Sequence, residues 1–232
     1  VPSMHDSMYD AVSENVEKLK EEGIKFVNPR IDAGKAKFPA IEAIVLESVR
    51  AVNLDRVSKG IAGGVVSNIA GKNILISLGG TFEEIDPIRG ISNRSSGRMG
   101  LELAKEAFVR GANLTILAAH HEVSIPKVFN VIEAESTALM NEKIDELIPD
   151  FDVFIATAAV SDFTPISKEN SKISSSYNLS LEFEPVAKII QRIKKINEDI
   201  FLVGFKAEYN ISEEKMIISR SEERFSRNAE TD

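Results

Sequence analysis

From Asn73 onward the chain alternates between two hydrophobic rhythms. Runs rich in apolar residues at 74–78, 113–118, 128–133, 153–158 and 201–205 read as strands. Between them, apolar residues recur every three or four positions and predict helices. These fall at 97–110, where Met99, Leu103, Ala104, Ala107 and Phe108 share a face, at 137–148, at 186–195 and from residue 213 onward. The alternation predicts an α/β fold, a doubly wound, Rossmann-like parallel sheet with ligands at the carboxyl ends of its strands. The stretch 178–183 alternates Leu179, Leu181 and Phe183 with polar residues, as an extra strand with one wet face would.

Before residue 73 the pattern is sparser. A helix is predicted at 11–22, with Val12, Val16 and Leu19 on one face, then a short strand at 24–27, a loop at 28–39 and a second helix at 41–52. Two helices and one strand make a poor independent domain. The stretch 55–72 carries Gly60, Gly63, Gly64 and Gly71 and reads as a linker, which divides the chain into 1–54, 55–72 and 73–232.

Composition narrows the function classes. With 43% hydrophobic residues in 232, the chain can bury a substantial core. A net charge of −8 argues against wholesale binding to nucleic acid or anionic lipid, so any phosphate site is local. The absence of cysteine excludes disulfides, thiolate metal sites and a cysteine nucleophile, and the three histidines, His5, His120 and His121, are too scattered for a metal cage. No stretch approaches the roughly 18 apolar residues of a membrane span, and the first residues lack a basic, apolar leader, so the expected location is cytoplasmic.

The chemistry concentrates after the first strand of the alternating region. Gly79-Gly80-Thr81 follows that strand, and the polar run up to Ser95-Ser96-Gly97 leads into a helix whose start can bind an anion through backbone N–H groups. A glycine pair there also suits a simple sharp turn. The neighbouring Asp86, Arg89, Asn93, Arg94, Ser95, Ser96 and Arg98, however, supply more hydrogen-bonding groups than a connector needs.

The run from Ile85 to Gly100, IDPIRGISNRSSGRMG, resembles the signature of phosphopantothenoylcysteine synthetase, the ligase half of the bifunctional coenzyme A biosynthesis protein. The likeness extends from about Lys72 to the C-terminus. Val1-Pro2-Ser3-Met4-His5-Asp6-Ser7-Met8-Tyr9 resembles a motif of the flavin-dependent decarboxylase half, with His5 at an asparagine position and Tyr9 at a tryptophan position. The resemblance therefore implies a C-terminal remnant of a flavoprotein-type decarboxylase domain at 1–54 and a ligase domain at 73–232 that is incomplete at its C-terminus. Decarboxylation is not expected from this chain alone, because FMN belongs to a complete decarboxylase domain.

The implied reaction joins 4′-phosphopantothenate to cysteine. The substrate carboxylate attacks the α-phosphorus of CTP, pyrophosphate leaves, and the cysteine amine attacks the resulting acyl-cytidylate. Neither step needs an enzyme nucleophile; alignment and charge neutralisation are what the site must supply. The resemblance assigns catalytic roles to Asn93, Arg89 and Lys172, and the polar stretch 164–175 around Lys172, with Lys168, Glu169, Asn170 and Ser171, suggests a mobile lid. Nucleotide contacts are expected from Gly79, Gly80, Thr81, Ser95, Ser96, Gly97, Ala156, Thr157, Ala158, Asp162, Lys172, Ala187, Lys188, Ile189, Ile190, Phe205, Arg224 and Arg227. Asp162 would hold a ribose hydroxyl or Mg2+, and Phe205 either the base or the core. The expected partners are the two substrates and a second copy of the chain, as a homodimer or larger homo-oligomer, with no nucleic acid or membrane partner.

Two other readings stay open. The fragment could bind nucleotide and self-associate without turnover. An NAD(P)-dependent oxidoreductase would share the alternation, but the first strand lacks Gly-x-Gly-x-x-Gly after it and the second ends in Ala118-Ala119-His120 with no acidic residue.

Overall fold

The computed structural model describes residues 6–33, 35–61, 68–176 and 178–205. Helix α1 (Asp6–Glu21) and an antiparallel hairpin, β1 (Arg30–Asp32) with β2 (Lys35–Lys37), precede helix α2 (Ile41–Ser58). Then follow β3 (Asn73–Leu78), the hairpin β4 (Phe82–Glu84) and β5 (Gly90–Ser92), helix α3 (Arg98–Val109), β6 (Asn113–Ala118), β7 (Asn130–Glu133) and helix α4 (Thr137–Leu147). The chain continues through β8 (Val153–Ala156), an antiparallel pair β9 (Phe163–Pro165) and β10 (Phe183–Pro185), helix α5 (Ile190–Ile196) and β11 (Phe201–Gly204).

Five strands form one parallel sheet in the order β11-β8-β3-β6-β7. The chain starts at the central β3, moves outward through β6 and β7, then crosses back to β8 on the other side. The crevice between the carboxyl ends of β3 and β8 is therefore the topological switch point, the place where such sheets bind ligands.

The continuous apolar run of β3 follows from burial on both faces. Ile74, Ile76 and Leu78 pack with Leu101, Ala104 and Phe108 of α3 and with Leu46 of α2. On the opposite face Leu75 joins Leu117, Phe154, Met140 and Ile144 of α4 and Ile193 of α5. Two helical layers thus sandwich the sheet, as the doubly wound expectation requires.

Several local expectations are corrected. Residues 24–27 form no strand; Ile24 and Phe26 are exposed, and the pairing lies instead between β1 and β2, inside the expected loop. Helix α2 runs past residue 52 to Ser58, because nothing before Gly60 (φ 65°) stops it. The buried face of α3 is Gly100, Leu101, Ala104, Ala107 and Phe108, leaving Met99 exposed. The extra strand is β10, later than the alternating 178–183, and helix α5 begins at Ile190, four residues after residue 186. The helix expected from residue 213, with Arg224 and Arg227, lies outside the described residues. Among the described residues, no helix is long and apolar enough to cross a membrane.

Candidate functional site at the switch point

Two glycines let three chain segments meet at the end of β3. Gly79 has φ 85°, and a Cβ on it would lie 2.9 Å from the Ala119 carbonyl oxygen and closer still to that of His120. A Cβ on Gly80 would lie 2.6 Å from the Asn93 carbonyl oxygen, so only glycine admits the strand after β5 at this distance. Gly80 N–H donates to His120 O at 2.9 Å, and Ala159 N–H donates to Gly79 O at 2.7 Å. The exits of β3, β6 and β8 are stitched together.

Thr81, expected to touch nucleotide, has its side chain fully buried. Its Oγ1 shares a 2.9 Å hydrogen bond with Thr137 Oγ1 and accepts one from Ser161 N–H at 2.9 Å. It holds the loop after β8 against the start of α4, which leaves its hydroxyl no ligand duty.

Helix α3 aims its N-terminus into the same crevice. Its N-cap is Gly97 (φ 76°), with no side-chain cap. The serines before it supply no side-chain cap, and Ser96 Oγ only accepts a long 3.4 Å contact from Arg98 N–H. A Cβ on Gly100 would meet Thr157 Oγ1 at 2.5 Å and Leu78 Cβ at 2.6 Å, so the first turn lies directly on the ends of β3 and β8. The first turn carries no acidic residue, and its N–H dipoles are available to an anion.

Asn93 spans the crevice. Its Nδ2 donates to the carbonyl oxygens of Ala159 and Val160, each at 3.2 Å. Ala156, Thr157 and Ala158 line the floor half-buried, with Thr157 Oγ1 donating to Ser77 O at 2.5 Å. Asp162, two residues past Val160, is exposed, and its carbonyl accepts from Val186 N–H at 2.8 Å. That tie brings the exposed Ala187 and Lys188 to the same rim. The Ile189 side chain is buried in the core beside Leu75 and Met140, and Ile190 starts α5. Phe205 follows Gly204, the register partner of Ala156, and is 51% exposed.

Arg89 and Lys172, the other two residues expected in catalysis, have different surroundings. Arg89 closes on Asp86, with Nε and Nη2 donating to Asp86 Oδ2 at 2.9 and 2.6 Å, and Nη2 also donates to Ile173 O at 2.7 Å. Asp86 Oδ1 accepts from Ile88 N–H and Arg89 N–H at 2.9 and 2.8 Å, and Oδ2 accepts from Ile173 N–H at 3.1 Å. The Arg89 guanidinium, aided by these backbone donors and opposed by burial, holds the Asp86 carboxyl well below the usual carboxylate range. Lys172 is exposed and pairs with no carboxylate among the described residues.

The buried roles of Asp86 and of Glu83, which accepts from Thr137 N–H and Thr164 Oγ1, escaped the sequence reading. Asp86-Pro87 carried a usable signal, since an aspartate before proline starts turns by accepting backbone N–H bonds. Glu83 carried none. Among the described residues no cluster of three or more His, Cys, Asp or Glu side chains is suited to holding a metal ion.

Comparison with known proteins agrees with this architecture. Residues 69–227 match the family described as DNA/pantothenate metabolism flavoprotein C-terminal domain, and residues 1–53 match the flavoprotein family. The coenzyme A biosynthesis bifunctional protein CoaBC of Thermococcus kodakarensis is 43% identical over 221 residues, which are 93% of this chain and 51% of that protein. The chain spans about half the length of the curated relatives it matches. A crystal structure of the DNA/pantothenate metabolism flavoprotein from Streptococcus pneumoniae is 28% identical and superposes with a TM-score of 0.59, covering 66% of this chain and 77% of that one. The C-terminal domain of a CoaBC protein is 32% identical, with a TM-score of 0.54 over 63% of this chain and 70% of that one. With more than half of its residues inside the first match, this chain belongs to the DNA/pantothenate metabolism flavoprotein C-terminal domain family.

Proposed function

We propose that the crevice between β3 and β8 is the site of a CTP-dependent phosphopantothenate–cysteine ligase acting in coenzyme A biosynthesis. The observation that carries this reading is the convergence of Asn93, the uncapped start of α3 and the Asp162 loop on the switch point. An amide donor and a helix start suited to an anion meet the ends of β3 and β8, and an exposed carboxylate follows two residues after Val160. Each suits a reaction without an enzyme nucleophile. The N–H groups at Arg98 and Met99 take phosphate oxygens, and the small residues 156–158 admit the flat nucleoside to the backbone. Asn93 turns its Nδ2 donor from the Ala159 and Val160 carbonyls to the acyl carbonyl oxygen as negative charge develops there. Lys172 neutralises the triphosphate, and Arg89 offers its remaining N–H groups to the substrate carboxylate.

Mg2+ fits this donor set as an ion carried in with the triphosphate. Magnesium keeps most of its waters and takes one or two carboxylates besides phosphate, which Asp162 alone provides. Residues 1–53 are read as part of a flavoprotein unit, joined by 55–72 to the ligase unit, and FMN belongs to the complete flavoprotein unit. The working assembly is a homodimer or larger homo-oligomer.

The test is release of pyrophosphate from labelled CTP in the presence of 4′-phosphopantothenate, cysteine and Mg2+. Turnover that falls on the order of 10²- to 10³-fold in Asn93→Ala is the expected result, the scale for losing one donor to a developing oxyanion. CTP binding without pyrophosphate release would reduce the site to nucleotide capture. An Asn93→Ala protein as fast as the parent would remove Asn93 from the chemistry.

A further inference from the structure

Four consecutive residues of the β4–β5 hairpin hold the lid segment along its length. Glu83 Oε2 accepts from Thr164 Oγ1 at 3.1 Å, Glu84 pairs with Lys168, and Ile85 O accepts from Glu169 N–H at 2.9 Å. Asp86 Oδ2 accepts from Ile173 N–H at 3.1 Å. The same hairpin is anchored to α4, where Glu83 Oε1 accepts from Thr137 N–H at 2.9 Å, and three residues after Gly90 its second strand delivers Asn93 to the crevice. One small hairpin therefore bridges the two chain segments that carry the candidate catalytic groups.

We propose that Asp86 is a positioning residue that sets Lys172 over the nucleotide site, acting through Arg89 and the Ile173 peptide. The inference rests on the ligase reading of Lys172. The Ile173 N–H belongs to the planar peptide unit that joins it to Lys172, so its bond to Asp86 fixes the plane from which the lysine springs. Arg89 Nη2 holds the next carbonyl, Ile173 O, at 2.7 Å, which clamps the residue after Lys172 on both sides. The ammonium itself stays exposed on a flexible stem and is free to meet phosphate. A fixed base with a mobile head lowers the ordering cost of closing the lid, which otherwise opposes binding.

The two oxygens of Asp86 divide the labour. Oδ1 closes the local turn through Ile88 N–H and Arg89 N–H, while Oδ2 faces Arg89 and the distant Ile173. Asp86→Asn with its oxygen kept toward the turn places an NH2 against those donors and releases the lid while sparing the turn.

The experiment is a double-mutant cycle on the full chain, with KM for CTP and for cysteine measured by pyrophosphate release. Lys172→Ala should raise KM for CTP about tenfold, the factor for one charge-assisted contact. Asp86→Asn should raise it comparably, leave KM for cysteine unchanged, and add nothing in the Asp86→Asn/Lys172→Ala double variant. General damage to the fold would move both KM values and kcat together, and that result overturns the inference. Additive effects in the double variant also overturn it while leaving the ligase reading intact. If Lys172→Ala leaves KM for CTP unchanged, the role of Lys172 falls and the inference falls with it. Should Asp86→Asn not fold, Ile173→Pro removes the lid's N–H donor without altering Asp86, while also restricting the backbone at 172–173, and enters the same cycle under the same criteria.

Discussion

Asp86 is buried with its carboxylate ionised, and that combination ties its charge to the stability of the fold. Its hydrogen bonds from Arg89, Ile88 and Ile173 hold its pKa far below the roughly 3.9 of an unfolded aspartate. A carboxyl depressed in the folded state stabilises fully above the unfolded value and loses that contribution as pH falls through the folded one. The parent protein should therefore lose stability steeply below about pH 4, with the unfolded chain taking up one proton more at this site. Melting temperatures followed from about pH 5 to about pH 2 should fall less steeply for Asp86→Asn than for the parent; parallel curves would mean that Asp86 contributes no such linkage. Thr81 illustrates the complementary case. Its place after a glycine pair suggested a ligand contact, yet its hydroxyl is spent on Thr137 and Ser161. Only the fold reveals that, because both partners lie more than fifty positions away.

At the scale of elements, the approach of α3 to the sheet shapes the proposed anion site. Gly100→Ala should gain about 1 kcal/mol of helix propensity. Overpacking costs about 1–3 kcal/mol, and the new methyl would meet the rigid Leu78 Cβ at 2.6 Å and Thr157 Oγ1 at 2.5 Å, so the penalty wins. Urea unfolding should show a net loss of stability, and titration with pyrophosphate should show weaker binding as the first turn is pushed from the crevice. Met99→Ala, on the exposed side of the same turn, should change neither. Stability equal to the parent in Gly100→Ala would indicate a looser contact than the one described. The same contrast explains what the sequence could reveal. The central strands and α3 and α4 were legible because each repeats one period over enough residues, as in the unbroken run of β3. The hairpin β4–β5 and the pair β9–β10 were not, since strands of three residues have no period and exist through their partners. Residues 24–27 failed for the converse reason, having a strand's composition and no neighbour to pair with. Asn93 and Asp162 were placed by motif, whereas the grip of residues 83–86 on residues 164–173 depends on geometry that no local pattern encodes.

Over the whole molecule, α2 connects the part matching the flavoprotein family with the part matching the C-terminal domain family. It does so by capping the end of α3. Arg50 Nη1 donates to the Phe108 and Ala112 carbonyl oxygens at 2.6 and 2.7 Å, and its guanidinium lies 4.5 Å over the Phe108 ring. Asn53 Nδ2 donates to Val109 O at 2.6 Å, while Leu46 enters the core under the sheet. The bonds to Phe108 and Val109 meet carbonyls of the last turn of α3, where Phe108 O also accepts from Gly111 N–H at 2.9 Å, and a cation there also meets the negative end of the helix dipole. Arg50→Met would keep most of the stem's packing and delete every donor. Phe108 and Ala112 are buried, and although Phe108 O keeps its bond from Gly111 N–H at 2.9 Å, the loss of two charge-assisted bonds should cost about 1–3 kcal/mol. Hydrogen exchange should then show α2 and the last turn of α3 losing protection together while β3 amides keep theirs. If α2 exchanges independently of α3 in the parent protein, the cap does not join the two parts, and α2 merely rests on the part matching the C-terminal domain family.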